Sequence, residues 1–479
     1  MAIDHASAIE KLGLKNPSAM LIAGEICQAA TGEHFESIDP ATGTALQRVP
    51  LARQPDVDRA LQAARAAFDG GPWRGWGASK RARALNKLAD LCSERASELA
   101  MLESLDVGMP RQFAKRLSVA ALSKNLRYYA SWADKGYGQV VPEAGAKVLD
   151  YTLREPIGVI LALIPWNTPL LFVASKLGPA LASGNVVILK PSEVAPLSAL
   201  KVATLIEEAG FPPGVVQVLS GDAETGKLLV EHPGVDKISF TGGGDIARKV
   251  LSSAARGLKP SMLELGGKSA NLIFEDADLG KANMLSTFGV FGLGGQACAA
   301  GSRWLVQRSV HDEVVKRVKA GARTLVMGDP LAPMTMLGPL CSQAHRDRVL
   351  THIENARSDG ANLVQALEPP AGCDGGAFLG PHIFTDVTPE MRLFREEVFG
   401  PVLAITPFDT EDEAVALAND SNHGLAGAVW TRDIGRAHRV AHAIRAGTIW
   451  VNSYGSLPSA APFGGYGQSG WGREGGHEA

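Results

Sequence analysis

From Pro156 onward, short unbroken runs of branched apolar residues alternate with stretches whose apolar positions recur every three or four residues. Val159-Ile-Leu-Ala-Leu-Ile164, Asn185-Val-Val-Ile-Leu-Lys190, Val215-Val-Gln-Val-Leu219 and Lys237-Ile-Ser-Phe240 are the apolar runs. The first three lack the polar alternation of a strand with one wet face, so they predict strands buried on both faces, and the fourth predicts a further strand beside them. The stretches between them, 170–182, 198–209 and 224–230, predict helices. Strand and helix in strict alternation require a parallel sheet covered on both sides, the doubly wound arrangement that binds nucleotides beyond the carboxyl ends of its strands. The pattern continues through a helix over 245–255, strands over 262–265 and 271–274, and a helix from 279 to about 291. A second α/β region follows from 303 to about 452, with later helices over 413–419 and 434–444.

The part before Pro156 reads differently. Residues 1–50 predict a leader and a small β region, with Pro40-Ala-Thr-Gly-Thr44 as the turn between Phe35-Glu-Ser-Ile38 and Leu46-Gln-Arg-Val49. Helical spacing predicts helices over 54–68, 79–102 and 113–133. The acids of Ser97-Glu-Leu-Ala100 and Glu103-Ser-Leu-Asp106 are expected on a solvated face. Residues 137–153 read as two strands of an excursion that has nothing of its own to pack on, so it is expected to pair with another element or subunit. The last stretch, 454–479, is glycine-rich and without regular period.

Composition narrows the class. A chain of 479 residues with 46% hydrophobic and 20% charged residues is long enough for two or three domains and a deep, dry site. Its 47 basic and 50 acidic residues leave a formal charge of -3 and form no basic block, so a nucleic-acid partner is not expected. Five scattered cysteines without metal or redox spacing fit a reducing compartment. No signal peptide is expected from Met1-Ala-Ile-Asp-His-Ala-Ser7, and the apolar run ending at Ile164 is far short of a membrane span. These features predict a cytoplasmic protein with no membrane partner.

Several residues carry candidate chemistry. Cys298 lies among Gly294, Gly295, Ala297, Ala299 and Ala300, none bulky enough to cover its sulfur. The stretch looks like the entrance to a helical turn, where free N–H groups and a helix dipole would favour the thiolate. Lys237-Ile-Ser-Phe-Thr-Gly242-Gly-Gly-Asp-Ile-Ala247 places a dinucleotide fingerprint between strand and helix, where a phosphate can sit. On that spacing Glu264 would be the ribose acid. Between two leucines it could equally be a general base with a raised pKa, or a strand carboxylate paired with Lys268. A second nominal fingerprint, Gly465-Tyr-Gly-Gln-Ser-Gly470, follows no strand and is read as a glycine-rich loop. Asn167, in Ile164-Pro-Trp-Asn-Thr-Pro169, follows a buried strand and could donate to an oxyanion or serve as a turn residue. Lys190, Ser192 and Glu193 end the next strand and suit ribose hydroxyls. The helix pair His438 and His442 lacks a third ligand and is read as a polar face, so no metal is expected.

Taken in order, Pro165-Trp-Asn-Thr-Pro169, Lys190-Pro-Ser-Glu193, Phe240-Thr-Gly-Gly243, Leu263-Glu-Leu-Gly-Gly-Lys-Ser269, Gly295-Gln-Ala-Cys-Ala-Ala-Gly-Ser-Arg303, Glu396-Glu-Val-Phe-Gly-Pro401 and Pro462-Phe-Gly-Gly-Tyr466 resemble the aldehyde dehydrogenase superfamily. The resemblance implies a Rossmann-like doubly wound cofactor domain (1–133 and 154–263), an α/β catalytic domain (264–452), and a small β oligomerisation flap with a C-terminal segment (134–153 and 453–479). It implies NAD-dependent oxidation of an aldehyde to the carboxylic acid, NADP remaining open, by a homodimer or homotetramer. Cys298 would be the nucleophile, Asn167 the oxyanion donor and Glu264 the base that activates water, with Lys176 and Glu474 tied to proton relay or site structure. Cofactor contacts would come from Ile164, Pro165, Trp166, Lys190, Ser192, Glu193, Phe240, Gly242, Gly243, Leu265, Glu397 and Phe399. Gly243 and Ala247 stand where relatives usually carry a hydroxyl and a glycine. Relatives also usually continue past Ala479 into a further strand.

Positions that wall the aldehyde tunnel in relatives, often with aromatics, are here Thr168, Ser175, Gly292 and Leu457, with Phe172 remaining. The expectation is a wide apolar tunnel for a bulky or aromatic aldehyde. A coenzyme A-acylating enzyme would generally lack Glu264, and a catalytically silent homologue would have lost Cys298 or Glu264.

Overall fold

The computed structural model describes residues 4–144 and 147–479. Two large sheets carry the fold. In the first, Val216–Val218, Val186–Pro191, Val159–Ile164, Lys237–Thr241 and Ser261–Glu264 lie side by side in that order, all parallel. The hairpin of Met20–Ile22 and Glu25–Cys27 extends one edge antiparallel, and Gly470–Trp471 extends the other. Every residue of Val159–Ile164 and Val186–Pro191 is buried, which is why these runs carry no polar alternation. Chain order runs outward from Val159–Ile164 to one side and resumes on its other side at Lys237–Thr241. The carboxyl ends of these two strands therefore flank a topological switch point, where a crevice opens.

The second sheet runs Asn362–Ala366, His382–Thr385, Val402–Phe408, Arg303–Gln307, Ala270–Ile273, Ala426–Trp430 and Thr448–Val451, parallel except for the first pair. Only residues 265–269 separate the last parallel strand of one sheet from the Ala270–Ile273 strand of the other. Leu263-Glu-Leu-Gly-Gly-Lys-Ser269 is thus the seam of the molecule.

Several elements depart from expectation. The single helix expected over 79–102 is two, Ala78–Glu94 and Ala96–Val107, broken at Arg95. Glu103 and Asp106, expected in solvent, are fully buried. Glu103 accepts from Ser118 Oγ at 2.7 Å and from the Leu170 N–H at 3.0 Å, and Asp106 accepts from Ser37 Oγ at 2.5 Å and from the Leu197 N–H at 2.7 Å. Leu170 and Leu197 lie in the first turns of Pro169–Ala182 and Leu197–Glu208, where N–H groups have no partner within the helix. Two remote carboxylates thus cap helices that bring no capping side chain of their own. Periodicity misplaced these acids because the second half of Ala96–Val107 is buried all round.

The third helical stretch begins at Arg111, passes a π-turn over Ala114–Val119 and ends at Ala130. Within the expected leader, residues 1–3 lie outside the described residues, and His5–Lys11 is a helix. His5 bonds Asp39 and, at 3.0 Å, Asp329, tying this helix to both halves of the protein. The hairpin His34–Ile38 with Ala45–Pro50 forms around the expected turn. In the excursion, Val140–Val141 pairs with Asp150–Tyr151, and Gly145 and Ala146 lie outside the described residues. Its Val140, Leu149, Tyr151 and Leu153 are exposed.

Candidate active site

Residues 264–269 explain why two glycines follow Glu264. A Cβ on Gly266 would collide with the Glu397 carboxylate, and one on Gly267 would lie 2.6 Å from the Cys298 carbonyl oxygen. The glycine pair therefore lets the Glu397 loop and the Cys298 loop close onto the end of the Glu264 strand. The tail closes from the other side: a Cβ on Gly464 would lie 2.6 Å from Glu264 Oε1. Four motifs separated by up to 200 residues in sequence meet around this seam.

Cys298 is half-buried. It follows a left-handed turn over residues 293–295, and no helix begins at it, so the helix dipole expected from sequence is absent. Burial, with the carboxylates of Glu264 and Glu397, pushes its thiol up to about 12, against the Ala299 N–H, which favours the thiolate. Tyr454, which sequence reading passed over, supports this loop. Its hydroxyl donates to the Ala299 carbonyl at 2.7 Å, and its ring packs where Gly289 and Gly301 leave room. A tyrosine in an irregular tail carries no local signal of that role.

Asn167, 8% exposed, donates from Nδ2 to the Gln296 carbonyl at 2.9 Å. The loop after the Val159–Ile164 strand is thereby joined to the loop that carries the cysteine. Glu264 is buried, and neither carboxylate oxygen has a hydrogen-bond partner among the described residues, so the alternative pairing with Lys268 is not made. Burial first, and then Glu474, hold its carboxyl well above the ordinary range, opposed by Lys176 and Arg473. Lys176 bonds Glu474 and, at 2.9 Å, Ser239 Oγ. Glu474 is brought there by an antiparallel turn in the tail, Phe463 N–H to Glu474 O at 2.5 Å and Glu474 N–H to Phe463 O at 2.7 Å.

The positions expected to bind the cofactor are distributed around the switch point and the seam. Ile164 ends its strand, Pro165 and Trp166 follow it, and Phe240 precedes the turn at Gly242 and Gly243. Gly243 caps the helix Gly244–Arg256 without a side-chain bond, and the space beside its Cα is open. Lys190 is buried, its ammonium 3.1 Å from the Pro191 carbonyl and 3.8 Å from Glu193, and burial lowers its pKa. The Ser192 hydroxyl accepts from the Val194 N–H at 3.3 Å. Leu265 donates its N–H to Ser469 O at 3.1 Å at the seam. Opposite, Glu397 accepts from the Gly267 N–H at 2.8 Å, and burial pushes its carboxyl up to about 7. The Phe399 ring stands edge-on to Trp166 at 5.4 Å.

These groups fit a dinucleotide. An open, capless helix N-terminus offers N–H groups to phosphate, a buried cation beside a carboxylate suits a ribose, and Glu397 can meet a second ribose across the crevice. Of the tunnel positions, Thr168, Phe172 and Ser175 lie at the start of Pro169–Ala182, and Gly292 ends the Leu279–Phe291 helix. A side chain on Gly292 would meet the Phe288 ring at 3.4 Å. Leu457 is 48% exposed on the tail loop, which Ser459 ties to Asn125 at 2.5 Å.

A parallel sheet with a switch point, a half-buried thiol and a buried carboxylate without a partner among the described residues are features that a nucleotide-dependent oxidoreductase can use. Comparison with known proteins gives the family. The aldehyde dehydrogenase family pattern matches residues 27–479. The NADP/NAD-dependent aldehyde dehydrogenase PuuC of Escherichia coli is 44% identical over 466 residues, 97% of this chain and 93% of that protein. The solved NAD+ complex of the Bacillus cereus aldehyde dehydrogenase superposes with a TM-score of 0.96 at 42% identity, covering 100% of this chain and 97% of that one. The P. syringae indole-3-acetaldehyde dehydrogenase AldA, solved with NAD+ and IAA, gives 0.96 at 40% identity, covering 99% and 96%. The chain belongs to the aldehyde dehydrogenase family and is an NAD(P)-dependent oxidoreductase of aldehydes.

Proposed function

We propose that this chain oxidises bulky, mainly apolar aldehydes, aromatic ones included, to carboxylic acids through Cys298, Asn167 and Glu264. The observation that carries the mechanism is the convergence at residues 264–267, where glycines admit the Cys298 and Glu397 loops to the side of an unpartnered carboxylate. Cys298, its proton released to water, attacks the carbonyl carbon as the thiolate, and the oxyanion of the thiohemiacetal is held by the Asn167 amide and the Cys298 N–H. A bound nicotinamide would supply the acceptor for the hydride that leaves the thiohemiacetal carbon, so that Cys298 would carry the acyl group as a thioester. Glu264 then takes a proton from the attacking water, and collapse releases the acid and the free thiol. For that step Glu264 must first lose its own proton. Glu474, whose charge acts on Glu264 and is balanced by the Lys176 ammonium, is the acceptor in this scheme.

Residues 1–133 and 154–263 would form the cofactor domain and 264–452 the catalytic domain. Lys190, Ser192 and Glu193 would hold the adenosine ribose, Gly242 and Gly243 the phosphates, and Trp166, Leu265, Glu397 and Phe399 the nicotinamide side. Glu193 would repel a 2′-phosphate and favour NAD. The exposed apolar residues of the excursion support a homodimer or homotetramer, and five cysteines without a disulfide support the cytoplasm.

The substrate class rests on the small side chains at Thr168, Ser175 and Gly292 and on the likeness to an indole-3-acetaldehyde dehydrogenase. A panel of aldehydes assayed for NADH formation tests it. Benzaldehyde and phenylacetaldehyde should show higher kcat/KM than acetaldehyde, and the reverse order would overturn the assignment. Product analysis without coenzyme A, giving free acid, separates hydrolysis from acyl transfer.

A further inference from the structure

Cys298 is delivered by an unusual piece of backbone. Leu293, Gly294 and Gly295 have successive φ values of 55°, 65° and 73°. Two of the three are glycines, but a leucine in the left-handed region is strained and persists only where its surroundings hold it. At Gly295 a Cβ would collide with the Gly400 carbonyl, so the turn is also pressed against the loop that follows Glu397 and Phe399.

The residue that closes this turn is Gln296, 4% exposed. Its backbone N–H and its side-chain Nε2 both donate to the Leu293 carbonyl, at 3.2 and 3.0 Å. Its Oε1 accepts from the Cys341 N–H at 2.9 Å, just before the helix Gln343–Ser358. Its own carbonyl accepts from Asn167 Nδ2 at 2.9 Å. An amide has two donor hydrogens, and fixing one fixes the direction of the other. With one hydrogen on Gln296 O, the second hydrogen of Asn167 is set in the amide plane and left for the substrate.

We propose that Gln296 is a positioning residue for the reaction: its side chain brackets the left-handed turn before Cys298, and its carbonyl aims the Asn167 amide at the oxyanion. The inference rests on the assignment of Cys298 and Asn167 made above. Through one residue, nucleophile and oxyanion donor share a single support, so they lose alignment together. A displacement of about 1 Å at such a site costs of order a hundredfold in rate.

The test is a double-mutant cycle between Gln296→Met and Asn167→Ala, with Gln296→Glu as a second variant that retains an acceptor for the Cys341 N–H and cannot donate to Leu293 O. NADH formation, the rate of Cys298 alkylation by iodoacetamide and NAD binding are measured on each folded, assembled enzyme. Gln296→Met should lower kcat by roughly tenfold to a hundredfold with KM and NAD affinity within about twofold, and Gln296→Glu should fall between it and the wild type. Asn167→Ala should cost at least about tenfold less in the Gln296→Met background than alone, because the donor is already misaimed. If Gln296→Met fails to fold, the cycle is run with Gln296→Glu. Additive losses, or a loss confined to KM, would overturn the proposal. Full activity in Cys298→Ser or Asn167→Ala would instead overturn the underlying site assignment.

Discussion

Replacing Glu103 by glutamine tests whether a buried carboxylate supports the helix that follows Asn167. Its carboxyl, fully buried between Ser118 and the first turn of Pro169–Ala182, is pushed up from 4.5 to about 7 by loss of hydration, against two hydrogen bonds that favour the anion. The folded-state pKa lies above the unfolded one, so the folded protein holds this proton more tightly. Its stabilising contribution is complete below about pH 4.5, declines as pH rises, and is gone above about pH 7, where both states are ionised. The interval between 4.5 and about 7 corresponds to about 3 kcal/mol. Asp106, pushed from 3.8 to about 7 by the same cause, adds a second decline in the same direction. Glutamine keeps an acceptor for the Leu170 N–H and has no charge to bury. Urea unfolding of wild type and Glu103→Gln at pH 5 and pH 8 should show the variant losing about 2 kcal/mol less over that range, with kcat at pH 7 within about twofold. Parallel pH responses would refute the reasoning, since they would mean that Glu103 ionises in the fold as freely as in the open chain.

Glu264→Gln should give a burst of about one NADH per site and then stall, with steady-state turnover down by roughly a hundredfold or more, because the thioester forms without a base to hydrolyse it. Stopped-flow absorbance reads this, and unchanged steady-state turnover would remove Glu264 from the mechanism. In the wild type kcat should climb toward alkaline pH, since burial and Glu474 hold the Glu264 carboxyl above its ordinary range, and the glutamine variant should lack that limb. Glu193→Ser should shift the kcat/KM ratio toward NADP by roughly tenfold, as one repelling charge leaves the 2′ position, and an unchanged ratio would place Glu193 away from the ribose.

Sequence by itself determined the parallel sheet and the identity of the motifs. Val159–Ile164 and Val186–Pro191 are apolar throughout because both of their faces are covered, and that requirement is written in consecutive residues. The ordered motifs likewise pointed to the family that residues 27–479 match. Tertiary structure alone decided what surrounds each candidate. Glu103 and Asp106 looked like surface acids because helical periodicity cannot mark a wet face on a helix buried all round. The helix N-terminus expected at Cys298 proved to be a left-handed turn held by Gln296, and the chain just after Cys298 is held by Tyr454, 155 residues away from its partner Ala299. Glu264 had three readings on spacing alone, and its unpartnered oxygens removed the ion pair. Local pattern records what one segment must bury. The environment of a thiol or a carboxylate is set by segments that meet only once the chain has folded.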